Sequence, residues 1–363
     1  MNLIRQWLHR LISPLDPVLM LLALLLFTLA FIAMASASPE RIGNQLMNTA
    51  IALVVVRLMA GISPQRLMHL APPIFIMGVV LLVGVALFGD ISKGARRWLN
   101  IGFMRIQPSE LMKIAVPLML AYYFQKHEAH LRLRNFGVAA ALLMIPVFLI
   151  ARQPDLGTGI LVFAAGFFII FFAGLQWKVI IGMVVAALAS APIAWTLLHD
   201  YQRHRILTLI DPEQDPLGKG FHIIQSTIAI GSGGFFGKGW GQGTQTQLEF
   251  LPERHTDFIF AVISEEFGLI GNICLLVIYA LLIGRCLMIA DQAATLFSRL
   301  MAGAISMIFF TYVFVNMGMV SGMLPVVGVP LPFLSYGGTA LVTLSVGIGI
   351  LMSIHRNRML VQK

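Results

Sequence analysis

The chain has 363 residues, of which 58% are apolar and 11% charged, with a mean hydropathy of +0.86. Soluble domains run at roughly 45–50% apolar and about 25% charged, so this composition excludes a disordered chain, a coiled coil and an ordinary soluble enzyme. The formal charge of +9 is dispersed among apolar runs, which argues against nucleic acid and for anionic headgroups or an anionic substrate.

A helix needs about 20 apolar residues to cross a bilayer. In chain order, hydropathy predicts spans near 17–37, 46–62, 73–89, 108–124, 136–152, 158–175, 178–198, 258–284, 300–320 and 337–354. The expected fold is all-α: a polytopic membrane protein of about ten transmembrane helices. It forms one integral membrane domain over 1–363, with a large extracytoplasmic loop, 199–257, between helices 7 and 8. Residues 258–290 are long enough to break in two, which would give eleven spans. Arg5 and Arg10 precede a first span too long for a signal peptide, so the start reads as a retained anchor. Cys274 and Cys286 supply neither a disulfide framework nor a zinc site.

Ten spans put both termini on one side. Thirteen of the 25 Lys and Arg fall there, among them Arg66, Lys126, Arg132, Arg134, Arg299 and Arg356. The orientation rule counts short loops and discounts long ones. Setting aside Arg203, Arg205, Lys219, Lys238 and Arg254 of the long loop leaves thirteen against seven, so both termini are expected in the cytoplasm. The seven on the outer side (Arg41, Lys93, Arg96, Arg97, Arg105, Lys113 and Arg152) run against that bias. They read either as partners of headgroups and carboxylates or as groups that hold a phosphate.

Glu110 and Lys113 lie three apart after Pro108, which suits a helix start, and can pair on one helical face. Ionisable groups at membrane depth cost about 3 kcal/mol and are functional candidates by default. His127 and His130 stand three apart rather than four and so are not a zinc-protease motif. They read as a solvated face. Asp155 sits in a tight turn, ARQPDLGTG (151–159), between two spans.

The 199–257 segment is the one large polar region and the default place for chemistry. Its glycine-dense part, 231–243, is not a Walker A loop: Ser232 and Gly239 occupy positions that motif reserves for Gly and Ser or Thr. It reads as a flexible or re-entrant loop, or as a run of backbone N–H groups facing an anion. Asp257, where this loop meets an apolar run, is a candidate helix N-cap and equally a candidate general base, since a helix start favours the ionised carboxylate. Glu265 and Glu266 fall on other helical faces, which argues against a paired-carboxylate glycosidase.

Five stretches together resemble the SEDS family (shape, elongation, division and sporulation). They are GARRWLNIGFMRIQPSELMKI (94–114), QPDLGTG (153–159), DPLGKGFHIIQSTIAIGSGGFFGKG (215–239), LPERHTDFIFAVISEEFGLIG (251–271) and NMGMVSGMLPVVGVPLPFLSYGG (316–338). IGSGGFFGKG and GTQTQLEFLPERHTDFIF resemble the elongation branch, RodA, more than the division branch, FtsW. The resemblance implies a ten-helix peptidoglycan glycosyltransferase of the bacterial inner membrane, with lipid II as substrate. It also implies a class B penicillin-binding protein (a transpeptidase) and other elongation-complex membrane proteins as partners. It matches Asp257 to the family's catalytic Asp, Glu110 and Lys113 to its intramembrane pair, Asp155 to its motif Asp, and Arg105 and Gln107 to polar positions at the cavity mouth. In that chemistry a sugar 4-hydroxyl attacks C1 of a second sugar and a lipid pyrophosphate leaves with inversion. Asp257 would take the proton. Arg105, Lys113 and Lys238 are candidates to meet the leaving group, with room for a divalent cation, Mg or Mn. The rival reading is a lipid II flippase, which needs the same charges but no base. A third is a non-catalytic scaffold for the cell-wall machinery.

Overall fold

A computed structural model describes residues 15–92, 95–100, 105–153, 155–197, 203, 207–214, 218–251 and 253–358. Arg5, Arg10, Lys93, Arg205, Lys363 and parts of the 199–257 segment lie outside the described residues. Each of the ten apolar segments falls in a helix. These are α1 (Pro17–Ala37), α2 (Ile42–Ala60), α3 (Pro64–Phe88), α4 (Pro108–Lys126), α5 (Leu133–Ala151), α6 (Leu156–Phe172) and α7 (Trp177–Leu197). After the long segment, which holds α8 (Lys219–Ser232) and α9 (Thr244–Gln247), come α10 (Ile259–Asp291), α11 (Leu296–Val320) and α12 (Gly338–Arg358). Seven of these are long and apolar enough to cross a membrane, and two stretches, Leu156–Phe172 and Trp177–Pro192, are shorter apolar helices. The chain is a polytopic, essentially all-α membrane protein.

Local chemistry sets the helix starts. Proline occupies the first turn of α1, α3 and α4, where its missing N–H costs nothing. Asp16, Asp155 and Thr295 cap α1, α6 and α11 by accepting from Leu19, Thr158 and Ser298 N–H groups.

Hydropathy missed one piece of structure. Residues 90–106 carry three short antiparallel strands, β1 (Asp90–Ser92), β2 (Ala95–Asn100) and β3 (Arg105–Ile106), with Leu99 opposite Ile106 and Asn100 opposite Arg105. The long 258–290 segment forms one helical element interrupted at Gly268, whose φ of 62° and ψ of −156° leave the helical region.

The core is organised around α11. It packs on α10, α6 and α4, and 72% of its most apolar stretch is buried, against 22% for α5. α12 lies along α2, α3 along α4, and α1 along α10. α7 shows exposed apolar side chains along its length, including Trp177, Ile181, Val185 and Leu188. An apolar helix without a polar face suits lipid rather than water.

Candidate active site

At one end of the bundle, a cavity of about 540 Å³ gathers polar residues from six places. β2 gives Arg97. Gln107, Glu110 and Lys113 come from the start of α4, and Asp155 and Thr158 from the start of α6. The turn before α10 gives Glu253, Thr256 and Asp257. The segment around Gly328 and the start of α12, with Tyr336 and Thr339, close it. The volume is within the range of small-molecule sites, roughly 300–1,000 Å³. A second groove, about 390 Å³, lies between α1 and α10 and carries no charged side chain. Its one titratable side chain is the Cys274 thiol.

In the floor, the Lys113 ammonium donates to Glu110 Oε1 at 2.6 Å and to the Tyr312 hydroxyl at 2.6 Å. Thr343 Oγ1 donates to the other Glu110 oxygen at 3.1 Å. The pair expected from the i, i+3 spacing is therefore formed, and it is tied to two further helices. On one wall, Asp155 accepts from Gln107 Nε2 at 3.1 Å and from the Thr158 N–H at 3.3 Å, with Arg97 Nε 4.0 Å away. Asp155 is thus a helix cap and a cavity carboxylate at once.

Asp257 does not cap α10. That helix starts at Ile259 and its cap position is Phe258. Asp257 belongs to the preceding turn and is partly exposed on the cavity wall. Asn316 Nδ2 donates to its backbone carbonyl at 2.9 Å and to that of Val329 at 2.7 Å. Gly328, at φ +74°, faces the carboxylate: a Cβ there would lie 3.2 Å from Asp257 Oδ2. Beside this turn, His255 packs against Tyr336 at 5.7 Å, and Arg41 lies over the same ring at 5.5 Å. Burial, then the Arg41 charge, hold the His255 imidazole below its ordinary pKa, favouring the neutral ring.

Two expected members are not brought to this cavity. Arg105 is exposed on β3 and does not line it. Lys238 is bound to buried Glu265 at 2.8 Å and to Thr244 Oγ1 at 2.8 Å. The glycine-dense loop does cradle an anion, but the anion is the protein's own. Glu265 also accepts from the Gln245 and Thr246 N–H groups, and Glu266 from Gly241 N–H and Ser36 Oγ. Arg97, one of the seven outer-side basic residues, does line the cavity, and so do Glu253 and Tyr336, which the sequence reading does not single out, with Asn316 bracing Asp257 from behind. No local pattern marks Asn316 or Tyr312. Among the described residues, no three His, Cys, Asp or Glu side chains stand close enough to hold a metal ion.

The sequence profile of the FtsW/RodA/SpoVE family, described as a cell cycle protein, matches residues 15–360. The chain belongs to this family. Peptidoglycan glycosyltransferase MrdB of Escherichia coli (strain K12) is 54% identical over 353 residues, 96% of this chain and 95% of its own length. Stage V sporulation protein E of Bacillus subtilis (strain 168) is 39% identical over 285 residues, 78% of this chain and 76% of its own. Among solved structures, a chain of a peptidoglycan synthase complex that coordinates polymerization and crosslinking superposes with a TM-score of 0.82. It is 34% identical, and the match covers 95% of this chain and 98% of that one. The rod shape determining protein RodA of Thermus thermophilus superposes with a TM-score of 0.72 at 29% identity, covering 95% and 97%.

Proposed function

We propose that this chain is a peptidoglycan glycosyltransferase of cell-wall elongation and rod-shape maintenance, polymerising lipid II with Asp257 as general base. The observation that carries this reading is the shared cavity: a partly exposed carboxylate, Asp257, opens onto the same space as the cations Lys113 and Arg97. Glycosyl transfer to a sugar hydroxyl needs both kinds of group. The 4-hydroxyl of the acceptor attacks C1 of the donor, and its proton passes to the Asp257 carboxylate as the C1–O4 bond forms. The C1–O bond to the pyrophosphate breaks with inversion, and its electron pair leaves with the lipid pyrophosphate. Negative charge grows on that group, and fixed cations in a partly water-excluded cavity stabilise it. Arg97 and Lys113 take this role, with Arg105 and Lys238 left out of it. Asp155, Gln107 and Glu110 hold the cations and the cavity wall in place.

The substrate's long tail is apolar, and its sugar and pyrophosphate are not. A cavity at the end of a lipid-embedded bundle serves both. The excess of basic residues in short loops on the terminal side supports an orientation with both termini in the cytoplasm and the cavity outside, and on this reading the membrane is the bacterial cytoplasmic one. A class B penicillin-binding protein that crosslinks the new strand is the expected partner, as in a complex that couples the two activities. Other elongation-complex membrane proteins would assemble around the pair.

The test is polymerisation of purified lipid II by the purified chain together with its transpeptidase partner. Asp257→Asn should lower turnover by about 10²- to 10⁴-fold while the protein stays folded. Glycan synthesis at the wild-type rate would remove the base assignment. Translocation of lipid II into vesicles without polymer would replace the enzyme by a flippase.

A further inference from the structure

α11 is the most buried helix of the bundle, and it carries two polar side chains, four residues apart, that brace cavity-lining residues from behind. Tyr312 accepts from Lys113 at 2.6 Å, and Asn316 donates to the Asp257 backbone carbonyl at 2.9 Å. Residues at i and i+4 share a helical face, about 6 Å apart along the axis. One rigid turn of α11 therefore touches both the carboxylate-bearing turn and the intramembrane lysine. We propose that Tyr312 and Asn316 are positioning residues, which set the separation of Asp257 from the Lys113 ammonium; this rests on the glycosyltransferase reading above.

The hydrogen-bond inventory gives Tyr312 its role. An ammonium has three N–H donors. Among the described residues, Lys113 spends one on Glu110 and one on Tyr312. Its third remains for whatever occupies the cavity that Lys113 lines. Both side chains are almost wholly buried, so a change in one alters the other's geometry directly. Without the Tyr312 hydroxyl, the ammonium loses its second anchor and collapses towards Glu110. The Asn316 amide works from the other end. By donating to the carbonyls of both Asp257 and Val329, it joins the turn before α10 to the segment that carries Gly328. Both of these lie against the Asp257 carboxylate.

Tyr312→Phe decides the matter, because it deletes one oxygen and keeps the ring that packs the core. Lipid II polymerisation is measured with the chain and its partner, alongside the thermal unfolding midpoint in detergent. If Tyr312 positions a group that acts on the leaving pyrophosphate, kcat falls about 10- to 100-fold while KM stays within about twofold. The midpoint stays close to wild type. In a Lys113→Met background the same change adds nothing to the residual turnover, because the group it positions is gone. Asn316→Ala lowers kcat as well, together with the midpoint, since it removes the donor to the buried Val329 carbonyl and to the part-buried Asp257 carbonyl. An unchanged kcat in Tyr312→Phe overturns the proposal, and so does a loss that multiplies with that of Lys113→Met. If the wild-type chain with its partner makes no glycan at all, the glycosyltransferase reading fails and the positioning role falls with it. That outcome is distinct from an active wild type with an indifferent variant.

Discussion

Lys113 and Lys238 are the same residue type in similar carboxylate pairs, at 2.6 Å from Glu110 and 2.8 Å from Glu265. Their neighbours separate them. Each spends two of its N–H donors, Lys113 on Glu110 and Tyr312 and Lys238 on Glu265 and Thr244, but Lys113 lines the cavity whereas Lys238 does not and closes a loop. Lys238→Met should therefore act on stability. It leaves Glu265 buried with its remaining donors, a loss of about 1–3 kcal/mol. It should also make residues 233–247 more sensitive to protease, with KM for lipid II unchanged per folded molecule. A raised KM with a fully protected loop would return Lys238 to the substrate. The residue types of the site were legible in the sequence: Asp257, Glu110, Lys113, Gln107 and Asp155 all line the cavity. Which lysine served the cavity was not, because Lys238 meets a partner 27 residues away across a break in α10, and no local spacing encodes that.

At the scale of elements, the glycine-dense loop and the broken helix explain each other. Gly268 interrupts α10 at positive φ, and the loop enters the gap: Lys238 and Gly239 N–H groups donate to the Glu265 and Glu266 carbonyls, and Leu269 N–H donates to Gly234 O. Gly237 sits where the two backbones meet. A Cβ there would lie 2.1 Å from the Glu266 carbonyl oxygen, at a φ of +79°. Gly237→Ala should thus cost about 2–5 kcal/mol, combining a left-handed residue with an overpacked contact. Gly231→Ala, in α8 with open space around it, should be neutral or stabilising by up to about 1 kcal/mol. Thermal unfolding midpoints in detergent separate the two, and equal midpoints would show the loop to be detached from α10. Glycine density announced close approach. It did not say which backbone approached, since that depends on a helix 30 residues further on. The β1–β3 strands were hidden for a different reason: pieces of two to six residues are too short to register against helical hydropathy.

For the whole molecule, the ten apolar segments made the bundle legible, because a bilayer-length helix is written locally in its composition. How the helices share charge at their ends is not. Away from the cavity, Asp16 accepts from Arg285 Nη2 at 2.5 Å and from Leu19 N–H at 2.8 Å, and His355 Nε2 lies 3.3 Å from it. One buried carboxylate ties the start of α1 to the later part of α10 and the last turn of α12. The cavity end of α1 is 21 residues on, about 30 Å away, where Arg254 donates to the Ala37 carbonyl. The cluster is therefore placed to hold the bundle together without touching the chemistry. Asp16→Ala leaves the partly buried Arg285 without its carboxylate and α1 without its cap, a loss of about 3 kcal/mol, while turnover per folded molecule stays at the wild-type level. The pH dependence gives an independent check. Burial works against the Asp16 carboxylate, but the Arg285 and Leu19 hydrogen bonds outweigh it and set its folded pKa below the ordinary 3.8. Its contribution is complete above 3.8 and is lost as the pH falls from there through the lower folded value. Unfolding midpoints measured on acidification should drop more steeply for wild type than for Asp16→Ala, and parallel curves would mean that this carboxylate holds nothing in place.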